Sequence, residues 1–326
     1  MKRGLTFTVI AQAQSLNYGE GIGNISELKK LSRDDGNIYT FASRQCLRYD
    51  IVRLADIRFR LTIWNVNSLR YDIVRLAAEL FNWNLQVVDK EKGTIQFKDN
   101  ISIRESEEMD LFGYMKTNKK DEKDKKGGSL TREATVRLSN AISLEPYRSD
   151  MDFLNNKGLA DRIGEHPNLA NIEQHLSYYT YTVTIDLSKI GKDGDIELDN
   201  KEKCRRVVEF LEIIKVLNRN IRGRQENLSP LFVVGGVYEI ANPFFLGRIK
   251  LKGDKNGFKI NKQAIEEVIQ GTFLGKDLKE FTYVGMVDGV FINKEEFKGL
   301  FEDNFLSVDK FFGQLVKEVK EYYGVN

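Results

Sequence analysis

Residues 5–13, Leu5-Thr6-Phe7-Thr8-Val9-Ile10-Ala11-Gln12-Ala13, alternate in polarity and are rich in β-branched side chains, which predicts a strand that opens the fold. The strand runs into a glycine-rich loop, Asn17-Tyr18-Gly19-Glu20-Gly21-Ile22-Gly23-Asn24. After a polar gap come Tyr39-Thr40-Phe41-Ala42-Ser43-Arg44-Gln45 and a helical pattern that starts at Leu47. A strand, a loop of exposed backbone amides and a helix start carrying Ser, Arg and Gln suit an extended phosphodiester, because all of these groups donate to phosphate oxygens. A dinucleotide loop fits poorly. Its G-x-G-x-x-G opens a helix directly, whereas here the third glycine comes one place early and about twenty residues separate the loop from the next strong helix. A plain turn, or a loop packed against a nucleic-acid backbone or a neighbouring subunit, are the readings that remain.

The octapeptide Leu-Arg-Tyr-Asp-Ile-Val-Arg-Leu follows at 47–54 and recurs unchanged at 69–76. One repeated octapeptide is a local duplication, not a solenoid. Either copy can supply the helix, with Leu47, Ile51 and Leu54 or Leu69, Ile73 and Leu76 as its apolar stripe. The second copy continues as Ala77-Ala78-Glu79-Leu80-Phe81 and is the better helix. Between them Phe59–Trp64 alternates like a strand, either pairing with a sheet or extending the helix.

Farther on, Leu85–Val88 and Thr94–Phe97 read as a hairpin, and 116–129 as a mobile loop rich in Lys, Asp and Gly. Thr131–Ser143 returns to period two, and 148–174 is a polar excursion from the sheet. Tyr178–Leu187 is the strongest strand signal, and Asn200–Arg219 is a helix burying Val207, Val208, Leu211, Ile214 and Leu217. Leu231–Tyr238 is a buried strand whose glycines let another backbone approach. The tail holds a helix near 261–269, a strand near 281–287 and a helix from Asp309 to Tyr323. Strand, helix, strands, insertion, strand, helix, strand is an α+β, ferredoxin-like split βαβ plan, which also underlies RNA-recognition domains.

The 326 residues are 41% hydrophobic and 30% charged, enough for one elaborated core. No run approaches eighteen apolar residues, and the start lacks a signal-peptide core, so the expected location is cytoplasmic. Cys46 and Cys204 are too few for a disulfide framework. Net charge is +2, yet residues 40–76 hold seven Arg against three Asp, and 203–224 hold seven Lys or Arg against two Glu. Residues 254–326 hold ten Lys against thirteen acids. Separate basic zones fit either a phosphate track or solvated helix faces.

Catalytic and metal constellations are poor. His166 and His175 are the two histidines, too few with two distant cysteines for an ordinary zinc site, and no cofactor is expected. His175 reads as a hydrogen-bonded residue at the start of the tyrosine-rich strand. Asp150 and Asp152 are the carboxylates that a ribonuclease would use. Arg222 and Arg224 suit phosphate forks and base stacking, or else decorate a helix C-terminus.

These motifs together resemble the CRISPR-associated Cas seven family, in its DevR/Cst branch. The resemblance rests on Asn17–Asn24, on Ser43-Arg44-Gln45 before a helix, and on Asp110-Leu111-Phe112-Gly113-Tyr114-Met115. Arg148-Ser149-Asp150-Met151-Asp152-Phe153, Tyr179-Thr180-Tyr181 with Asp186-Leu187, Gly223-Arg224-Gln225 and Pro230–Gly236 follow in order, so that it spans about 4–240. It implies a modified RNA-recognition palm with fingers at about 85–130 and a thumb at about 148–174, Asp152, Phe153 and Leu154 included. The duplication insert then covers about 55–68, and a C-terminal elaboration 240–326. It implies a type I-B Cascade backbone subunit that polymerises along crRNA, supports guide pairing with target DNA and has no catalysis of its own. Its partners would be crRNA, target DNA, further copies of itself and other Cascade subunits. Ser43, Arg44, Gln45 and Arg48 would grip guide phosphates, with Asn17, Tyr18, Gly19, Gly21, Gly23 and Asn24 lining the groove and Arg222 and Arg224 adjoining it. Should the second octapeptide take the helix position, Arg70 replaces Arg48. The alternatives are a type III-like metal-dependent ribonuclease using Asp150 or Asp152, and a monomeric RNA-binding regulator.

Overall fold

The structure is a computed structural model that describes residues 3–19, 21, 23–43, 69–91, 94–117 and 129–325. The first octapeptide, the 55–68 insert, Arg44, Gln45, Arg48 and most of the lysine-rich 116–129 run lie outside the described residues. The strands that build and carry the site are β1 (Gly4–Gln14), β2 (Ile25–Ser26), β3 (Lys30–Ser32), β4 (Ile38–Ala42), β5 (Val136–Leu138), β6 (Ala141–Ser143), β7 (Asp150–Asn155), β8 (Leu169–Gln174), β9 (Leu176–Asp186), β10 (Asn218–Ile221), β11 (Arg224–Asn227), β12 (Phe232–Tyr238), β13 (Tyr283–Met286) and β14 (Phe305–Leu306). The main helices are α1 (Leu69–Phe81), α2 (Asn200–Lys215) and α3 (Val308–Tyr323).

Nine strands form the main sheet in the order β14-β13-β12-β1-β9-β6-β4-β3, with β5 also paired to β9. β1 lies inside it, antiparallel to β9 from Gly4↔Asp186 to Gln14↔Leu176 and to β12 from Gly4↔Tyr238 to Ile10↔Phe232. Alternation in sequence ordinarily leaves one face in water. Here both faces of β1 are covered. Leu5, Phe7, Val9 and Ala11 belong to the core shared with α1, α2 and α3, where the Phe7 ring meets Phe311 and Phe312 edge-on at 6.5 and 5.7 Å. On the other face Ile10 packs with Tyr178, Phe232 and Val234 beneath residues 245–301. The buried threonines there satisfy one another: Thr6 pairs with Thr184 at 3.1 Å and Thr8 with Thr182 at 2.8 Å. As the glycine pair in β12 predicts, a Cβ at Gly235 would meet the backbone of Thr6, and one at Gly236 the carbonyl of Phe281.

The second octapeptide is helical, as its continuation predicts. α1 packs beside α2: Arg75 donates to the Asn218 side chain at 2.6 Å, Asp72 lies 3.3 Å from Arg219, and the Trp83 indole donates to Glu209 at 2.8 Å. Strands near 231–238, 281–287 and 178–187 and the last helix lie where the sequence places them, within a few residues. Other expectations need correction. Thr131–Ser143 is not one strand. It breaks at Thr135, whose hydroxyl turns to the Asp110 and Leu111 carbonyls, so the chain leaves the Tyr114–Thr117/Ser129–Arg132 hairpin and joins the main sheet at β5. The helix expected to reach Arg219 stops at Lys215, and Arg219 stands in the β10–β11 hairpin. The hairpin expected from Leu85 pairs Val88–Glu91 with Thr94–Phe97.

Residues 87–114 carry a satellite core of Val87, Phe97, Ile103 and Met109. It is tied to the main body by Asp110, which is fully buried. Arg206 reaches one carboxylate oxygen of Asp110 at 3.0 Å and Arg132 the other at 2.5 Å, and the Gly191 amide donates to both at 2.9 and 3.0 Å. The Asp110-Leu111-Phe112 motif is therefore a structural clamp, with Phe112 edge-on to Phe210 at 6.3 Å. Removing one partner of a buried charge cluster strands the others. Asp110→Ala is expected to lower unfolding free energy by roughly 3–5 kcal/mol in urea denaturation, with fluorescence of Trp83 and circular dichroism as readouts.

Candidate functional site

β1 ends at Gln14, and Ser15 turns the chain with φ +55°. The Ser15 amide donates to the His175 carbonyl at 2.9 Å, and the His175 amide donates back to the Ser15 hydroxyl at 3.0 Å. The following loop folds back as a ribbon whose Gly19 amide is engaged within it. Gly19 donates to Glu27 and Lys29 to Asn17, both at 2.8 Å, and Tyr18 bridges Leu28. The ribbon then contributes β2, which pairs in parallel with β8 at Asn171↔Ile25 and Ile172↔Ser26, while Asn171 donates to the Asn24 carbonyl at 2.9 Å. A Cβ at Gly21 would meet the Ile25 carbonyl, so glycine is required there for the chain to close up; Gly23 follows with φ +59°.

β7 and β8 form the antiparallel hairpin that leaves the main sheet, as the polar 148–174 stretch predicts. All six β7 residues are exposed, Asp152, Phe153 (56%) and Leu154 among them. Met151, Phe153, Leu154, Leu159, Ile163 (74%) and Leu169 are the exposed apolar side chains of this projection. Isolated exposed apolar residues are ordinary; a contiguous run on one hairpin marks a contact surface.

Glu173, at the hairpin base, is the residue that ties the parts together, and no spacing in the sequence singles it out. Its carboxylate accepts from the Leu28 amide at 2.7 Å and from Lys30 Nζ at 2.7 and 3.0 Å, and its carbonyl accepts from the Tyr18 hydroxyl at 3.0 Å. Burial pushes this carboxyl upward, but the Lys30 and Leu28 donors outweigh it and hold the group below the usual glutamate range. Gln174 accepts from Gln14 Nε2 at 3.0 Å and from the Ser15 hydroxyl at 2.9 Å, and reaches Asp152 at 3.4 Å. His175 is buried, and burial pushes it below its ordinary value. Its Nδ1 lies 2.8 Å from the Thr40 hydroxyl, which also meets Tyr179 at 2.8 Å, bearing out its hydrogen-bonded role. β4 runs on from Thr40 in the direction of β9, with Phe41 opposite Ile142 and Ile142 opposite Thr180, so Ser43 follows β4 at the end away from His175.

Arg222 and Gly223 form the β10–β11 turn with φ +47° and +79°, the positive values a two-residue hairpin needs, and not a helix C-terminus. The Arg222 guanidinium stacks 4.1 Å over the Tyr18 ring, bringing two predicted residues together. Its Nε is sealed from solvent without a hydrogen-bond partner, as is Nδ2 of Asn17, which is 3% exposed. Arg224 points elsewhere, 3.7 Å from Glu226, whose carboxylate accepts from the Gln14 amide at 2.9 Å. The remaining cations of the 203–224 zone pair internally with carboxylates, and are neither a phosphate track nor a freely solvated face. Lys203 pairs with Glu197, and Arg205 with Glu107, Glu202 and Glu209. Arg206 pairs with Asp110, Lys215 with Glu212 and Asp309, and Arg219 with Asp72. Among the described residues no group of three or more His, Cys, Asp or Glu is placed to hold a metal ion, and no helix is long and apolar enough to cross a membrane.

Residues 5–256 match a family described as CRISPR-associated negative auto-regulator DevR/Csa2. No curated protein matches. A solved chain described as "CRISPR RNA-guided surveillance complex, pre-nicking" superposes with a TM-score of 0.51 at 13% identity, covering 97% of this chain and 100% of that one. Another, "CRISPR RNA-guided surveillance complex", gives 0.50 at 12%, covering 98% and 99%. At these identities the likeness is one of fold.

The Glu173 geometry makes a pH-dependent prediction. A carboxyl held low in the folded state stabilises above the ordinary glutamate value of 4.5, and that contribution fades as pH falls through the lowered value. Amide hydrogen exchange is expected to show residues 24–30 and 169–174 losing protection at acid pH before β1 and β9. In Glu173→Gln this selective loss is expected already at neutral pH.

Proposed function

The chain belongs to the CRISPR-associated DevR/Csa2 family, and on that premise we propose that it is the guide-binding backbone subunit of a type I-B, Cascade-like surveillance complex. Copies of the chain polymerise along crRNA, hold it for pairing with target DNA beside other Cascade subunits, and carry no catalysis of their own. The main sheet supports an RNA-recognition-like palm: β5, β9, β1 and β12 are antiparallel neighbours, with α1 and α2 as the two crossovers on one face. The 87–114 region is the finger part, the β7–β8 hairpin is the thumb, and residues after 240 are an elaboration.

The observation that carries the reading is the corner where Tyr18, Arg222 and the thumb base converge. The half-buried Arg222 guanidinium laid over Tyr18, with the unpartnered N–H donors Arg222 Nε and Asn17 Nδ2, suits a ligand made of acceptors. A phosphodiester strand is such a ligand, and a guanidinium already flattened on a tyrosine ring loses little freedom on gripping it. Ser43 follows β4 and leads to Arg44 and Gln45, which the reading assigns to the same RNA strand. Contacts of this kind fix register and leave the sequence to base pairing. The apolar thumb residues are then the surface that meets the next copy.

Filter binding with guide-like RNA tests the proposal. Arg222→Ala and Arg44→Ala are each expected to weaken binding by a similar factor for every sequence and to lower the slope of log affinity against log salt by about one. An unchanged slope in both variants overturns the phosphate assignment. Light scattering on a long RNA is expected to show several copies bound, and a single bound copy contradicts the backbone role. Regularly spaced cuts in Mg²⁺ that vanish in Asp150→Ala or Asp152→Ala overturn the non-catalytic role.

A further inference from the structure

Residues 248–262 hold six Lys or Arg against one Asp, whereas residues 263–326 hold seven Lys against twelve acids. The basic segment folds as a short hairpin, Leu251–Asp254 paired with Gly257–Ile260, on the face of the main sheet away from α1, α2 and α3. Its inward side is apolar and fixed. Ile249 and Ile260 are buried, Leu251 packs with them, and the Phe258 ring meets Tyr178 edge-on at 5.2 Å. The Asn293 side chain bonds both the amide and the carbonyl of Ile260, at 3.2 and 2.9 Å. The outward side is cationic. Arg248, Lys250, Lys252 and Lys255 are exposed and, among the described residues, have no carboxylate partner. The one acid of the segment, Asp254, lies 3.7 Å from Lys259. Lys252 stands directly opposite Lys259 in the hairpin. Like charges so placed repel, and an anion seated between them removes that cost.

We propose that this hairpin is a second nucleic-acid surface, one that holds the phosphate backbone of a duplex. Cations on alternate positions of a strand stand about 6.7 Å apart, close to one phosphate step along a nucleic-acid chain, and each phosphate they neutralise releases condensed counterions. A protein partner suits the face poorly. Lys is depleted from protein interfaces, and the outward positions 250, 252, 254, 257, 259 and 261 are Lys, Lys, Asp, Gly, Lys and Asn, with no apolar side chain among them. A single strand also suits it poorly, because single-strand sites stack bases on aromatic rings. The one aromatic ring of the segment, Phe258, is turned inward onto Tyr178. In a duplex the bases are already stacked and the backbone is what remains to be held. The groove between Lys250 and the β3–β4 turn adds Arg33 but also Asp34 and Asp35, so its charge is balanced and the track is the outward side of the hairpin. This surface shares no residue with the Tyr18–Arg222 corner, and the inference holds whether or not that corner grips RNA.

The test is a salt titration of the full-length chain with DNA and RNA duplexes of random sequence. Combining Lys250→Ala, Lys252→Ala and Lys255→Ala is expected to lower the slope of log affinity against log salt by about three for duplexes of any sequence. Combining Lys250→Arg, Lys252→Arg and Lys255→Arg is expected to keep the slope, which separates charge from fold. Arg222→Ala is expected to leave duplex binding unchanged, and the triple Ala variant to leave binding of single-stranded guide-like RNA unchanged. No duplex binding by the unsubstituted chain at low salt, or an unchanged slope in the triple Ala variant, overturns the proposal. Equal loss of duplex and guide-like RNA in that variant overturns a separate surface, and loss of single-stranded DNA as large as that of duplex overturns the choice of duplex. Self-association at low salt without nucleic acid, abolished in the triple Ala variant, assigns the hairpin to a second copy and likewise overturns the proposal.

Discussion

The antiparallel register between β1 and β9 is the constraint from which the candidate site follows. It holds over eleven paired positions and ends with Gln14 opposite Leu176. Ser15 and His175 are thereby forced to face each other, and their reciprocal backbone and hydroxyl bonds close the corner. Whatever follows β1 and whatever precedes β9 must leave the sheet together. Those two segments are the glycine-rich ribbon and the β7–β8 hairpin, and their joint exit allows β2 to pair with β8. A register slip of one residue would turn Phe7 out of the helical core and Thr6 into it, so burial on both faces locks the arrangement.

Burial also redistributes the charge. A near-neutral chain with basic clusters invites a reading in which each cluster faces a polyanion. In the fold most of the 203–224 cluster is directed inward or along α2 to carboxylates, and Arg206 and Arg219 are among the largest fully buried side chains. Ion pairs of this kind hold the satellite 87–114 region and α1 to the body. Arg222 differs because a hairpin turn with positive φ points it across to Tyr18 instead of toward an acid.

Much of the architecture is legible in the chain. The alternation of residues 5–13 and 178–187, the helical continuation Ala77–Phe81 and the paired glycines at 235–236 each specify a local conformation from short-range physics. The thumb segment is legible as polarity without a sheet pattern. What fails is informative. Thr131–Ser143 has a continuous period but serves two sheets, and between them the Thr135 hydroxyl turns to the Asp110 and Leu111 carbonyls. Arg219 extends a good helical pattern but is claimed by Asp72, more than a hundred residues away. Of the residues the sequence marks as ligand-binding, Asn17, Tyr18 and Arg222 meet at one corner, Arg224 does not, and Arg44, Gln45 and Arg48 lie outside the described residues.

The sequence by itself determined most of the element types and pointed to the family, because these rest on local pattern and on the order of motifs. Tertiary structure alone decided which donors are left over. An arginine in the chain is only a charge; whether it is spent on a carboxylate, as Arg206 is, or laid over a tyrosine, as Arg222 is, depends on what distant segments bring to it. The same holds for the glycine ribbon, which reads as exposed amides until the fold shows Gly19 donating back to Glu27 and the Asn24 carbonyl accepting from Asn171 of β8.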